Sequence, residues 1–98
     1  MPTPAPPEWQ FWTKPDALNT MAEAIGPSAY KRNGEPRQDI FLGKRTGTAS
    51  KQISGKHPAS ARTVATASAI LAQARGVPNP HDVTEELFDI VPVGSVAA

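Results

Sequence analysis

Apolar residues recur at helical spacing along one long stretch of this chain, from Lys56 to Gly76. Drawn as an α-helix, this stretch has an apolar face and, beside it, a strip of small side chains. The apolar face is Val64, Ala67, Ile70, Leu71 and Ala74, and the small strip is Ala61, Ala65, Ser68 and Ala72. Pro58 suits the first turn, His57 or Ser60 suits the cap, and Gly76 is a typical end. We therefore predict an alanine-rich helix over 56–76, whose small side chains allow another element to approach closely.

Two shorter helices are predicted on either side of it. Residues 13–25 carry an apolar stripe, with Thr13 or Asp16 near the cap and Pro15 in the first turn, and end before Gly26. Residues 80–89 place acids in the first turn, with Val83 and Leu87 one turn apart on the inner face. Both patterns are typical of short amphipathic helices.

The intervening segments are less regular. Residues 28–38 contain Asn33-Gly34 and Pro36, which indicates a surface loop. Residues 39–42 form a short apolar run that fits either a buried strand or one helical turn. Residues 43–56 fit a basic flexible loop, or a loose hairpin that pairs 40–42 with the region of Ile53. The closing residues 90–98 are apolar but contain Pro92 and Gly94, which favours an extended edge segment.

The N-terminal residues 1–12 form a proline-rich arm with aromatic anchors. Four prolines among the first seven residues favour an extended conformation. Trp9, Phe11 and Trp12 follow at once, and aromatic side chains supply large contact areas at low entropic cost. Two interpretations fit these three residues: they bind a partner, or they close the core of this chain.

The predicted fold class is mainly α, as a small irregular domain. It has two or three short helices, long extended proline-rich segments and one short β-hairpin, with a small α+β fold as the alternative. The arm spans 1–12 and a single helical domain spans 13–98, with the basic loop at 43–56 and an acidic C-terminal segment at 82–98.

Composition adds that the core is thin. Only 18 of the 98 residues are Leu, Ile, Val or Phe, and there is no cysteine to form a disulfide. A small chain of this kind gains stability most readily from a partner. Because neither a signal peptide nor a stretch able to span a bilayer is evident, we expect a soluble protein, intracellular or within a particle.

Charge is unevenly distributed, although the net charge is only +1. Residues 40–81 contain no Asp or Glu, whereas residues 82–98 contain four acids and no Lys or Arg. The basic residues that lead into the long helix are Lys44, Arg45, Lys51, Lys56 and Arg62. Spread along a flexible segment, they are candidates for contacts with nucleic-acid phosphates.

Other chemistry finds no support in the residue pattern. Glycine, lysine and hydroxyl spacings do not match a phosphate-binding loop, and the two histidines lack a context for nucleophilic catalysis. His81, Glu85 and Asp89 share one side of the last predicted helix, but acids there serve the cap and the helix dipole more often than a metal. The sequence therefore predicts no catalytic residue, no metal site, no cofactor and no small-molecule substrate.

These observations favour a non-enzymatic structural or accessory subunit of a larger protein assembly, such as a minor virion component or a member of a multi-subunit complex. It would dock on other protein subunits through its arm and helical faces. The alternative is a small nucleic-acid-binding protein that uses residues 44–62. No membrane association is expected from either.

Overall fold

The structure, a computed structural model, describes residues 9–44 and 47–92. The strands and α-helices in chain order are β1 (Trp9–Thr13), α1 (Ala17–Ile25), α2 (Ser50–Ile53), α3 (Ala61–Arg75), α4 (His81–Leu87) and β2 (Phe88–Pro92). Short 3₁₀ turns occupy Pro27–Ala29, Gln38–Ile40 and Gly47–Ala49. The mainly helical prediction is thus confirmed at the level of class, with a two-stranded sheet added.

The sheet joins the two ends of the described chain. β1 and β2 are antiparallel, with Trp9 opposite Pro92 and Thr13 opposite Phe88. The ladder continues past the strand, because the Lys14 N–H donates to the Leu87 carbonyl at 2.9 Å. On its other edge β1 bridges to Ala59, whose N–H donates to the Phe11 carbonyl at 2.7 Å. Residues 9–12, predicted as part of an arm, therefore form a strand, whereas residues 1–8 lie outside the described residues.

The predicted long helix is present but begins later than Lys56. The Ser60 hydroxyl accepts a hydrogen bond from the Thr63 N–H, so Ser60 is the N-cap and α3 starts at Ala61. Residues 56 and 57 instead turn back onto α2, where both N–H groups donate to the Lys51 carbonyl. The predicted end is confirmed: Gly76 adopts the left-handed conformation, with φ of 70°, and closes the last turn.

Of the two predicted caps of the first helix, Asp16 is the one observed, so α1 begins at Ala17 and not near Thr13. Thr13 is the last residue of β1, and its hydroxyl donates to the Gln52 carbonyl at 2.7 Å. Pro15 disfavours the helical conformation in Lys14, so the chain passes from strand to helix through a turn at this point. The last helix ends at Leu87, earlier than the predicted Asp89, because Phe88 already has the extended backbone that begins β2.

The hairpin predicted between residues 40–42 and Ile53 is wrong. Residues 38–40 form a 3₁₀ turn, and Ile53 is the last residue of α2. Phe41 and Ile53 are both buried in the core, so the apolar character of these short segments reflects packing and not strand pairing. Of the two interpretations of residues 39–42, the helical turn is the one observed. The loop prediction for 28–38 is confirmed by the turn at Asn33 and Gly34.

The core is assembled around Phe88, which is 1% exposed. Its ring meets Phe41 edge-on at 5.9 Å between centroids and Phe11 edge-on at 6.4 Å. The remaining large buried side chains come from all four helices and include Met21, Ile53, Leu71 and Leu87. Five of the twelve buried apolar residues are alanines, so the helices pack closely around little side-chain volume.

Within residues 9–44 and 47–92, no helix is both long enough and apolar enough to cross a lipid bilayer. The longest of them, α3, has 15 residues.

Replacing Phe88 by alanine should lower the free energy of unfolding by about 3–5 kcal/mol, because the ring is removed from the centre of the core. Urea denaturation followed by circular dichroism measures this change. Trp9→Ala is the matched control, since Trp9 is 57% exposed and its loss should cost less than about 1 kcal/mol. Similar losses for the two variants would contradict the arrangement described.

Candidate protein-docking site

An apolar groove lies where the first half of α3, the start of α4 and β1 meet. It has a volume of about 350 Å³. Its lining consists of Phe11, Ala61, Val64, Ala65, Ser68, Pro80, His81 and Thr84. Ala61 and Ala65 are exposed, and their methyl groups leave open space that a longer side chain would fill. The groove is therefore a consequence of small residues on one strip of α3.

The floor of the apolar groove has few free polar groups. The Thr84 hydroxyl donates to the Pro80 carbonyl at 3.1 Å and lies 2.9 Å from the hydroxyl of Ser68. A hydroxyl has one proton, so if Thr84 donates to the Pro80 carbonyl, the Ser68 hydroxyl donates to the Thr84 oxygen. Both hydroxyls are thereby engaged with the protein, so the groove offers mainly carbon surface to a ligand. This surface suits an apolar side chain.

A second depression continues from the apolar groove along the sheet. This Trp9 depression is lined by Trp9, Phe11, Glu85 and Ile90 and measures about 490 Å³. Phe11 borders both spaces, so together they form one surface that runs from α3 to β2. Trp9 is the most exposed large apolar residue of the described chain, at 57%.

The three predicted aromatic anchors do not act as one cluster. Successive side chains of a strand point to opposite faces, which places Trp9 and Phe11 together and Trp12 on the other face. Phe11 packs against the core and lines the apolar groove, and Trp12 is half-buried opposite Asp89 of β2. Trp9 alone among them is largely free for contact. The alternation of side chains along residues 9–13 indicates this arrangement only if the segment is assumed to be a strand.

The basic residues are partly brought together. The Gln52 side-chain oxygen accepts from the Ser60 N–H and from the Thr63 hydroxyl, each at 2.8 Å, which ties α2 to the start of α3. Lys51, Lys56 and Arg62 consequently surround this junction, and all three are exposed. Lys44 follows the turn formed by residues 41–43 and is exposed, and Arg45 is outside the described residues.

Most charged residues in the described ranges form no ion pair. Arg37 binds Asp39 at 2.7 Å, and Arg75 binds Glu86. Asp82, Glu85 and Asp89, which are exposed on α4 and β2, form no ion pair with any described residue. Nor do three His, Asp or Glu side chains within 9–44 and 47–92 come close enough to hold a metal ion.

Part of the lining of the apolar groove belongs to the small strip that is recognisable in the sequence. The small strip Ala61, Ala65, Ser68 and Ala72 predicted a close approach by another element. In the structure, only half of the strip is covered in this way. Ser68 and Ala72 are buried against neighbouring parts of the chain, whereas Ala61 and Ala65 remain exposed in the groove. Pro80, His81 and Thr84 were not predicted, because their place opposite α3 depends on how the loop after Gly76 returns.

No protein-family model, curated protein or solved structure matches this chain. Its function is therefore inferred from the geometry and chemistry of the surface formed by the apolar groove and the Trp9 depression.

Ser68 and Thr84 should be energetically coupled, because their buried hydroxyls form one hydrogen-bonded chain with the Pro80 carbonyl. A double-mutant cycle with Ser68→Ala and Thr84→Val should give a coupling energy of about 0.5–1.5 kcal/mol in urea denaturation. Effects that add to within about 0.3 kcal/mol would show that the two hydroxyls act independently.

Proposed function

We propose that this chain is a non-enzymatic accessory subunit of a larger protein assembly, such as a virion or a multi-subunit complex. It docks on another subunit through the apolar groove and the Trp9 depression. The single observation that carries the proposal is the continuous apolar surface from Ala61 and Ala65, across Phe11, to the exposed ring of Trp9. Contiguous exposed apolar surface of this kind marks interaction sites in soluble proteins.

The energetics support docking at this surface. A tryptophan buries roughly 150–250 Å² when fully covered, and at about 25 cal/mol per Å² the exposed half of Trp9 represents about 2–3 kcal/mol on burial. Exposed aromatic residues beside a preformed pocket are typical of the centre of protein interfaces. The open methyl groups of Ala61 and Ala65 add further area without a side-chain entropy cost.

The composition of the core supports the same proposal. With alanine at Ala17, Ala22, Ala29, Ala67 and Ala72, the domain buries little apolar volume within itself. Covering the apolar groove with a partner would extend the core outward from Phe11 and Val64. Stability would then rise with partner concentration, as expected for any partner that binds only the folded chain.

Site-specific photo-cross-linking tests the proposal. The full chain carrying a photoreactive phenylalanine derivative at Ala65, produced in its native source, should cross-link to one defined protein on irradiation. The same group placed at Arg32, an exposed residue of the distant turn, is the matched control. A cross-link of equal yield from both positions, or none from Ala65, would contradict docking at the apolar groove.

Nucleic-acid binding is a second candidate, which one observation favours. Lys51, Lys56 and Arg62 surround the junction of α2 and α3, and none of them forms an ion pair with a described residue. Three exposed cations within residues 51–62 suit phosphate contacts. Residues 51–62 contain no Phe, Tyr or Trp for stacking on bases, so this binding would depend on charge.

If the basic junction binds duplex DNA, affinity should fall with salt at a slope of roughly −2.7 on logarithmic axes, as three phosphate contacts require. Neutralising Lys51, Lys56 and Arg62 with glutamine should abolish the binding, whereas Lys31→Gln on the distant turn should not. Fluorescence anisotropy with a labelled duplex measures both effects. The absence of binding at low ionic strength would discard this candidate.

A further inference from the structure

The charges beside the docking surface restrict what can occupy it. Residues 81–92 contain Asp82, Glu85, Glu86 and Asp89 and no Lys or Arg. Glu86 is neutralised by Arg75, but the other three carboxylates have no ion-pair partner among the described residues. Residues 81–92 therefore carry an excess of negative charge, and Glu85 is the carboxylate among them that lines the docking surface.

Glu85 has the most direct position among these carboxylates. It lines the Trp9 depression together with Trp9, Phe11 and Ile90. His81, one helical turn earlier, lines the apolar groove, and Phe11 lines both spaces. Glu85 and Asp89 also border a smaller depression with Lys14, yet Lys14 forms an ion pair with neither of them.

A second copy of this chain is a poor fit for the same surface. Two copies facing each other across a twofold axis would bring carboxylates of equal sign together, which is unfavourable. Pairing through the free edge of β2 is restricted as well, because Pro92 has no N–H and the Phe88 N–H already donates to the Thr84 carbonyl. Within β2, only Ile90 then has an N–H directed to that edge, given the alternation of the ladder.

We infer that the occupant is a short segment of a different protein subunit, with an apolar anchor side chain and a Lys or Arg next to it. The anchor enters the apolar groove over Ala61 and Ala65, and the cation lies against Glu85 at the boundary with the Trp9 depression. Charge complementarity beside an apolar pocket supplies orientation and specificity, while the pocket supplies most of the affinity. This inference rests on the proposed docking function and specifies the chemistry of the partner.

Selection from a phage-displayed library of random dodecapeptides on the full chain tests the inference. Peptides that enrich should share a large apolar residue with Lys or Arg within two positions of it. Enrichment should be lost on the Ala61→Gln/Ala65→Gln variant, since glutamine maintains helix propensity but fills the apolar groove. This variant confirms that the enriched peptides bind the groove.

The role of Glu85 is tested with a synthetic, fluorescein-labelled form of an enriched peptide. By anisotropy, Glu85→Lys should weaken its binding roughly threefold to tenfold, as expected for reversal of one solvent-exposed charge. Glu23→Lys is the matched control: Glu23 is exposed on α1, and the variant has the same net charge but should bind as the original chain does.

Three results would overturn the inference: groove-binding peptides without a basic residue, equal effects of Glu85→Lys and Glu23→Lys, or no peptide sensitive to the Ala61→Gln/Ala65→Gln variant. The first two leave docking at the apolar groove intact, because the peptides still bind there. Docking itself is decided separately by the cross-link from Ala65, so failure of the charge inference and failure of the proposed function are distinguishable.

Discussion

Packing of the Phe88 ring between Phe11 and Phe41 is the interaction on which the rest of this fold depends. It joins β1 and β2 across almost the whole described chain, and bringing such distant segments together costs about 4 kcal/mol of chain entropy by the logarithmic rule. A two-stranded sheet is marginal alone. Burial of one phenylalanine contributes about 1.5–3 kcal/mol, and two edge-to-face contacts add about 0.5–1.5 kcal/mol each, a sum comparable to that cost.

Closing the chain in this way also creates the proposed docking surface. β1 is held on one side by β2 and on the other by Ala59, so the Phe11 ring is fixed at the boundary between the core and the apolar groove. Because α3 presents Ala61 and Ala65 at this point, the space next to Phe11 stays unfilled. The same small residues that let the helices approach closely inside the protein leave a recess at its surface.

Charge is sorted by the fold into separate surfaces. The basic residues Lys51, Lys56 and Arg62 lie around the start of α3, and the unmatched carboxylates lie on α4 and β2, with Glu85 in the Trp9 depression. Among the described residues, only Arg75 and Glu86 join the basic and acidic segments by an ion pair. Segregated charges of this kind contribute little to the stability of the domain, but they do restrict which partners can approach each surface.

The sequence by itself determined the features that depend on neighbouring residues: the helical class, the end of α3 at Gly76, the turn at Asn33-Gly34 and the extended conformation of residues 90–92. Capping, glycine conformation and proline geometry act within a few residues, so they are readable locally. Only the tertiary structure decided that Trp9 to Thr13 pair with β2, because strand pairing across such a separation has no local signature. It likewise decided that Ala65 lines a groove while Ala72 is buried, since identical side chains differ only in what the rest of the chain packs against them.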